Sequence, residues 1–301
     1  MSARINHVAI TSDSYAMNAR FYEALFGMQQ GKTRRLPPAR AISLGDGYVG
    51  MTHIPRRDGR TAGLDHFGIE VEDAETVFDR MRTRYPNTDW VQRPSTRPFA
   101  GISANDPDGN VFDISQKNME NRQDIYVDNE KDGKQADRFI SHVAMRTMRP
   151  DELARFYADV FELRPMNRPE GDPNHYLTDG RVTLMIMPWR IKNYMGQSIL
   201  PTGMDHFGFT VENMAKFQED LDEVIGQNTV LNPIPIGKGK EGGARLELLS
   251  VNARWENISC GSRLHHACRA GASLMDGAVG NKPETTGSGD NATQAFWEKK
   301  R

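Results

Sequence analysis

The sequence predicts an α+β protein of four consecutive β-α-β-β-β units, paired into two domains with cup-shaped mixed sheets. The prediction depends on internal repetition, because three short motifs of the first half return in the second. Ile5–Ile10 returns as Ile140–Met145, Arg20–Phe26 as Arg155–Phe161, and Asp65–Val71 as Asp205–Val211. The first two pairs are offset by 135 residues (140 − 5 and 155 − 20) and the third by 140 (205 − 65).

The first unit opens with a strand at Ile5–Thr11, which is rich in β-branched residues. Ser12 or Asp13 is a plausible N-cap for a following helix, and Gly27 suits the position just past its end. Two short strands are then predicted, on either side of a glycine-rich turn, at Arg40–Leu44 and Tyr48–Ile54.

The later units repeat this order. The second unit has a strand at Leu64–Val71, a helix from about Asp73 to Arg84, and strands near Trp90–Arg93, Gly101–Ala104 and Val111–Ser115. The second half has strands at Phe139–Met145, Val182–Met187 and Gly208–Val211, a helix with the apolar stripe Leu153 to Phe161, and a helix at Asn213–Ile225. We therefore predict domains at 1–116 and 138–260, a polar linker at 117–137, and a tail at 261–301 that is disordered and dispensable for folding.

Composition limits the classes of function. The 301 residues suit two domains. A net charge of −2 does not indicate the basic surface that a nucleic-acid-binding protein needs. No apolar run approaches the roughly 20 residues needed to span a bilayer. The two cysteines, Cys260 and Cys268, are too close together to join two domains, and no secretory signal is visible, so we expect a cytoplasmic protein.

Strand alternation indicates which way the polar side chains point. His66, Gly68 and Glu70 share one face of their strand, opposite Phe67 and its apolar neighbours. The same alternation places His7 and Asp113 on a polar, glycine-lined face that could form a cup for a ligand. Two imidazoles and one carboxylate suit Fe(II), Mn(II) or another divalent ion with open coordination positions.

The alternative interpretation is three unrelated polar residues on a wet sheet face. The return of the histidine pair at His142 and His206 favours a metal site in at least one half.

These motifs together resemble the vicinal oxygen chelate superfamily, which includes glyoxalase I, extradiol ring-cleaving dioxygenases, fosfomycin resistance proteins and methylmalonyl-CoA epimerase. The resemblance covers roughly residues 4–116 and 138–258. It extends to Phe-Tyr near the end of each first helix, to Asp-His-Phe-Gly opening the next unit, and to the turn Asp106–Asn110 before the last strand. It implies metal ligands at His7, His66 and Asp113 in the first half and at His142 and His206 in the second.

The chain departs from the family pattern in several places. Asp113 stands where the family usually has Glu. The second half lacks the Asp-Pro-Asp-Gly-Asn turn, and Glu256, 50 residues after His206 (256 − 206) against 47 between His66 and Asp113 (113 − 66), is its candidate third ligand.

Two further departures bear on the reaction. Neither Thr52 nor Met185 supplies the carboxylate of a four-ligand glyoxalase. No histidine stands near Tyr48 and Val49 or near Val182 and Thr183, where the ring-cleaving members carry a catalytic one.

Three other residues are candidates for chemistry. His53 and His175 lie in or near strand ends and could shuttle protons, the alternative being surface or packing roles. Tyr48, like Tyr176, could hydrogen-bond a substrate hydroxyl, although tyrosine is common at strand ends.

From the residues and the resemblance we expect a metal-dependent enzyme that chelates adjacent oxygens of a small molecule. The first choice is an extradiol-type ring-cleaving dioxygenase with Fe(II), because the ligand set is two His and one carboxylate. The alternatives are a lyase or isomerase of the glyoxalase type and a non-catalytic small-molecule binding protein. No nucleic-acid or membrane partner is expected, and self-association into a homo-oligomer is left open.

Overall fold

The fold is described from a computed structural model over residues 3–30, 41–59, 62–93, 99–117, 137–168, 170–190, 202–212, 214–227, 234–236 and 247–249. The predicted tail and most of the predicted linker lie outside these residues, as does Glu256. The domain boundaries therefore stay a prediction.

The first half forms one eight-stranded sheet with the order β2-β3-β4-β1-β5-β8-β7-β6. The strands are β1 Arg4–Ser12, β2 Gln29–Gln30, β3 Ile42–Gly45, β4 Gly50–Pro55, β5 Gly63–Val71, β6 Trp90–Gln92, β7 Ile102–Asn105 and β8 Val111–Gln116. β1 pairs antiparallel with β5, and each of these lies parallel to the last strand of its own unit. Two β-α-β-β-β units thus meet at the β1–β5 pair, as the repetition predicts.

The second half forms a five-stranded sheet with the order β10-β11-β12-β9-β13. Its strands are β9 Phe139–Thr147, β10 Arg164–Pro165, β11 His175–Thr178, β12 Thr183–Pro188 and β13 Gly203–Thr210. This is one complete unit plus the opening strand of the next. A separate hairpin follows, formed by β14 Ile234–Ile236 and β15 Glu247–Leu249.

In the described part of the chain, four helices cover the apolar faces of the two sheets: α1 Tyr15–Phe26, α2 Ala74–Arg84, α3 Pro150–Phe161 and α4 Met214–Gln227. Gly27 ends α1 in the left-handed conformation with φ 65°, as its position after the apolar stripe predicts. The Asp73 carboxylate accepts hydrogen bonds from the backbone N–H groups of Glu75 and Thr76 and caps α2. α1 begins at Tyr15 with Ser14 as its N-cap residue, whose side chain makes no capping hydrogen bond.

The helix-covered faces of both sheets share one hydrophobic core. Phe26 of α1 stacks on Phe209 of β13 with ring centroids 4.0 Å apart. On the other side, the Tyr157 ring of α3 lies 5.8 Å from both Phe67 and Phe112. Because both apolar faces are buried against each other, the two polar faces point away from the shared core.

Two aspartates connect the halves reciprocally. The Asp46 carboxylate, in the turn before β4, accepts a hydrogen bond of 2.8 Å from the backbone N–H of Ile140. The Asp179 carboxylate, in the turn before β12, accepts one of 2.7 Å from the backbone N–H of Ile5. Each half thus supplies a carboxylate to the first strand of the other.

None of the described helices is long and apolar enough to cross a membrane.

Candidate metal centre

Three adjacent strands of the first sheet bring His7, His66 and Asp113 together. Gly68 of β5 pairs with His7 of β1 on one side and with Asp113 of β8 on the other. Since Gly68 has no side chain, the space above it is left to its two neighbours. A Cβ built on Gly68 would lie 2.0 Å from Cε1 of His7, so glycine is required here.

The geometry of this triad fits a metal ion. One ligand atom from each residue lies within 4.8 Å of the other two. Asp113 Oδ2 is 3.3 Å from His66 Nε2 and 3.8 Å from His7 Nε2. Adjacent ligands of an octahedral ion with bonds of about 2.1 Å lie about 3 Å apart, so a small contraction would bring all three atoms onto one ion.

Each histidine is oriented by the residue before it in the chain. His7 Nδ1 lies 2.8 Å from Asn6 Oδ1, and His66 Nδ1 lies 2.6 Å from Asp65 Oδ2. In a neutral imidazole, an oxygen that accepts a hydrogen bond from Nδ1–H selects the tautomer in which Nε2 is unprotonated and available to a metal. Both histidines therefore have the outer hydrogen bond typical of metal-binding imidazoles.

These orienting residues are the extra residues of two β-bulges. Along β1 the register advances from Ile5 to His7 while β5 advances by a single residue, and Asp65 is the extra residue opposite the Ala9–Ile10 step. A bulge places two consecutive side chains on nearly the same side of a strand. Asn6 also donates to Ser115 Oγ at 2.8 Å, which fixes its amide.

The charges of the triad favour an ionised carboxylate. Burial disfavours the charged forms, but the hydrogen bonds and attraction between the partners outweigh it. The pKa of Asp113 is held well below its usual range by His66 and His7, and the pKa of His66 is raised to about 9 by Asp113 and Asp65. Asp113 further accepts a hydrogen bond from Ser103 Oγ, which itself accepts one of 3.0 Å from Arg93 Nε.

Phe99 closes one side of the triad. Its ring stacks on the imidazole of His7 with centroids 5.4 Å apart. Its backbone has φ 64°, a conformation that is rare for an aromatic residue, and Asn6 Nδ2 donates to its carbonyl at 3.1 Å. A Cβ on Gly50 would lie 2.5 Å from the ring, so Gly50 makes room for Phe99.

The second half repeats the histidine pair and its orienting groups. The rings of His142 and His206 are 5.4 Å apart at 88°, against 5.6 Å and 84° for His7 and His66. Ser141 Oγ lies 3.2 Å from His142 Nδ1 and Asp205 Oδ1 lies 2.6 Å from His206 Nδ1, again from bulge positions.

A third ligand is not among the described residues of the second half. The only group of metal-binding side chains found in the described part of the chain is the triad of the first half. Beside the second histidine pair the sheet carries a small apolar cluster that includes Ala144, Tyr176 and Met185.

The other predicted site residues lie apart from the triad. His53 pairs with Ile10 in the sheet, on the helix-covered face, where its ring lies 5.4 Å from that of Tyr22. Tyr48 lies between the halves, with its hydroxyl 3.4 Å from Asp179 Oδ2 and the guanidinium of Arg181 over its ring. His175 Nε2 lies 2.8 Å from Asp151 Oδ1 at the start of α3. None of the three is brought to a histidine pair.

Sequence reasoning missed the groups that support the triad, namely Asn6, Asp65, Phe99 and Ser103. A signal for the first two was present, because a polar residue precedes every one of the four repeated strand histidines. No sequence signal pointed to Phe99, since its position depends on a left-handed backbone in a connection between strands.

Residues 4–114 match the sequence pattern of the Glyoxalase/Bleomycin resistance protein/Dioxygenase superfamily. This match spans 111 of the 301 residues (114 − 4 + 1), all of them in the first half. The second half has the same β-α-β-β-β unit with the same strand order, which confirms the predicted fold class. No curated protein matches the chain in sequence.

Several solved structures resemble this chain over most of its length. The 2,3-dioxygenase LapB from Pseudomonas sp. KL28 is 13% identical with a TM-score of 0.53, over 75% of this chain and 80% of that one. Homoprotocatechuate 2,3-dioxygenase from Arthrobacter globiformis is 15% identical with a TM-score of 0.52, over 80% and 73%. A Mn(II)-bound glyoxalase from Novosphingobium aromaticivorans is 13% identical with a TM-score of 0.50, over 74% and 70%. At these identities the likeness establishes the fold alone.

Proposed function

We propose that the first half holds one divalent metal ion through His7, His66 and Asp113 and is the working site of a metal-dependent enzyme. The observation that supports this most directly is the convergence of two Nε2 atoms and one carboxylate oxygen at a buried point. His7 and Asp113 are only 2% and 3% exposed. A buried carboxylate needs a cation beside it, and a divalent ion can take the place of the proton that His66 otherwise shares with Asp113.

A bound ion would supply Lewis-acid stabilisation of charge on two adjacent oxygens of a substrate. The residues around the triad orient the side chains that would bind this ion. Asn6 and Asp65 hold the rings through Nδ1 so that Nε2 of each histidine faces the ion, and Ser103 fixes the Asp113 carboxylate. Phe99 excludes water from the His7 side.

The reaction that we propose first is extradiol-type cleavage of a catechol-like ring with Fe(II). One C–C bond beside the two hydroxyl-bearing carbons breaks, and both atoms of dioxygen enter the product. Two imidazoles and one carboxylate leave coordination positions open for a bidentate substrate and for dioxygen. Thr52 at the remaining strand position supplies no carboxylate, which favours this reaction over that of a four-ligand glyoxalase.

A lyase or isomerase acting through an enolate is the second candidate. It is favoured by the absence of a third histidine from the described cup of the first half, since His53 faces the helices. Oxygen consumption with a catechol separates the two reactions. A binding protein without turnover would bind its ligand in the absence of metal.

The test compares metal content in two carboxylate variants of the full chain. Asp113→Asn removes the only ligand charge of the first triad and should abolish retention of Fe(II) or Mn(II) after dialysis. Glu256→Gln tests the second half, and Asp58→Asn, an exposed turn residue, is the surface control. Elemental analysis of the wild type should give about one ion per chain.

Two results would contradict the proposal. Loss of metal only in Glu256→Gln would place the working ion in the second half. Retention in both variants would mean that the histidines bind without a carboxylate or are structural.

A further inference from the structure

Thr52 lies beside the triad on the open side of the cup. In the sheet it pairs with Ala9, which pairs in turn with His66. Residues paired across neighbouring strands point to the same face, so Thr52, Ala9 and His66 form a row along the floor of the cup. Because Ala9 is small, the space between the Thr52 hydroxyl and the His66 ring is left open.

The Thr52 hydroxyl is buried and lacks a partner. Thr52 is 6% exposed, and its Oγ1 makes no hydrogen bond within the described part of the chain. An unsatisfied buried hydroxyl costs on the order of 1–3 kcal/mol, so such groups usually have a ligand or water as their partner.

Phe99 and Gly50 bound the same space at the next row of the sheet. Gly50 is two residues before Thr52 on β4, and the Phe99 ring fills the place above it. The ring covers the His7 side of the triad, whereas Thr52 lies beyond Ala9 in the row of His66.

We propose that Thr52 donates a hydrogen bond from Oγ1 to the metal-bound, negatively charged oxygen of a catecholate or enediolate substrate. The inference rests on the proposed function of the triad and adds the residue that recognises the chelating oxygen. Thr52 is thereby a substrate-binding residue, and Phe99 is the wall that sets the substrate's position.

The described part of the second half has no hydroxyl at the position that corresponds to Thr52. At the place that corresponds to Thr52, the residue paired with Ala144 and through it with His206 is Met185. Met185 packs with Tyr176 and Ala144 in an apolar cluster. The described parts of the two cups therefore differ in two ways. The first has Thr52 where the second has Met185, and the carboxylate of Asp113 has no counterpart among the described residues of the second.

The experiment uses the full chain loaded with Mn(II), with 4-nitrocatechol as a chromophoric probe and Asp113→Asn as the metal-free blank. Thr52→Val keeps the shape of the side chain but removes the hydroxyl. It should keep the wild-type Mn(II) content and weaken nitrocatechol binding about tenfold, the effect of losing a hydrogen bond to a charged oxygen. Thr52→Ser restores the hydroxyl and should bind within about twofold of the wild type.

Three results would overturn the inference while leaving the metal site standing. They are unchanged affinity in Thr52→Val, equal weakening in the valine and serine variants, and loss of Mn(II) from Thr52→Val, which would make the hydroxyl a metal ligand. A wild type that holds no Mn(II), or that holds Mn(II) without binding the probe, would instead contradict the proposed function and the inference together.

Discussion

At the scale of single residues, four side chains next to the histidines decide what the histidines can do. Asn6, Asp65, Ser141 and Asp205 each occupy the extra position of a β-bulge and face Nδ1 of the following histidine. Strict alternation predicts that such residues point away from the cup. Strand alternation therefore predicts correctly which face of the sheet carries the histidines. It predicts the orientation of the preceding residues wrongly, because a bulge breaks the two-residue period.

Gly68→Ala should disrupt the triad without touching any ligand. The new methyl group would lie 2.0 Å from His7 Cε1 and 2.3 Å from Nδ1, so the imidazole must move. We expect Mn(II) retention to fall by at least about tenfold, since a ligand displaced by even a fraction of an ångström binds poorly. Gly226→Ala, where an added Cβ meets nothing within 4 Å, is the matched control. Normal metal content in Gly68→Ala would show that His7 is not a ligand.

His53 should make the protein less stable in acid. Burial lowers its pKa to about 3, and neither ring nitrogen has a hydrogen-bond partner within the described residues. The unfolded chain takes up this proton near pH 6.5, so the free energy of unfolding falls as the pH drops from about 6.5 towards 3.

His53→Leu tests this effect by removing the titrating group. Between about pH 7 and pH 5 the wild type should lose about 2 kcal/mol more stability than the variant in urea unfolding. Parallel stability curves for the two proteins would contradict the assignment.

At the scale of elements, the turn Asp106–Asn110 does more than connect β7 to β8. Asp106 accepts hydrogen bonds from the backbone N–H groups of Asp108 and Asn110 and, at 3.0 Å, from the hydroxyl of Tyr157 on α3. The composition of the turn was visible in the sequence, because Asp, Gly and Asn are typical turn residues. Its contact with the other half was not, since it depends on how the two sheets pack.

Asp106→Ala should therefore destabilise the whole chain. It leaves two backbone donors and the Tyr157 hydroxyl without an acceptor, which should cost roughly 3 kcal/mol or more. Tyr157→Phe removes only one of these bonds and should cost about 1 kcal/mol. Denaturant unfolding of both variants measures the difference, and equal losses would mean that the turn itself contributes little.

Elements with strong periodicity were predicted within a few residues, including β1, α1, α2 and β9, whereas β13 begins at Gly203, before its predicted start at Gly208. The short edge strands β2 and β10 were missed, because two residues carry no periodic signal. β11 was missed as well, since its four residues have no clear alternation between apolar and polar side chains.

At the scale of the molecule, the apolar faces of the two halves form a single core, so we expect the halves to fold as one unit. The repeated motifs predicted two similar domains but gave no information about this packing. Contacts such as Phe26–Phe209 and Phe112–Phe161 link the halves through aromatic rings.

The first half expressed alone, as residues 1–117, should self-associate. It would expose the aromatic surface that α3 and β13 cover, and exposed apolar patches of that kind drive association. Size-exclusion chromatography should show oligomers or aggregate, and coexpression of residues 118–301 should restore a one-to-one complex. A stable monomer would show that the shared core is dispensable.

The exchange of carboxylates between the halves, Asp46 to Ile140 and Asp179 to Ile5, has a consequence for how this chain can change. Each half packs against the other through its helix-covered face, so the apolar residues of both faces must be preserved. The cups point outward and take no part in that partnership. We therefore expect that one cup can lose a charged ligand or gain a methionine at little cost in stability, while its helix-covered face continues to stabilise the other half.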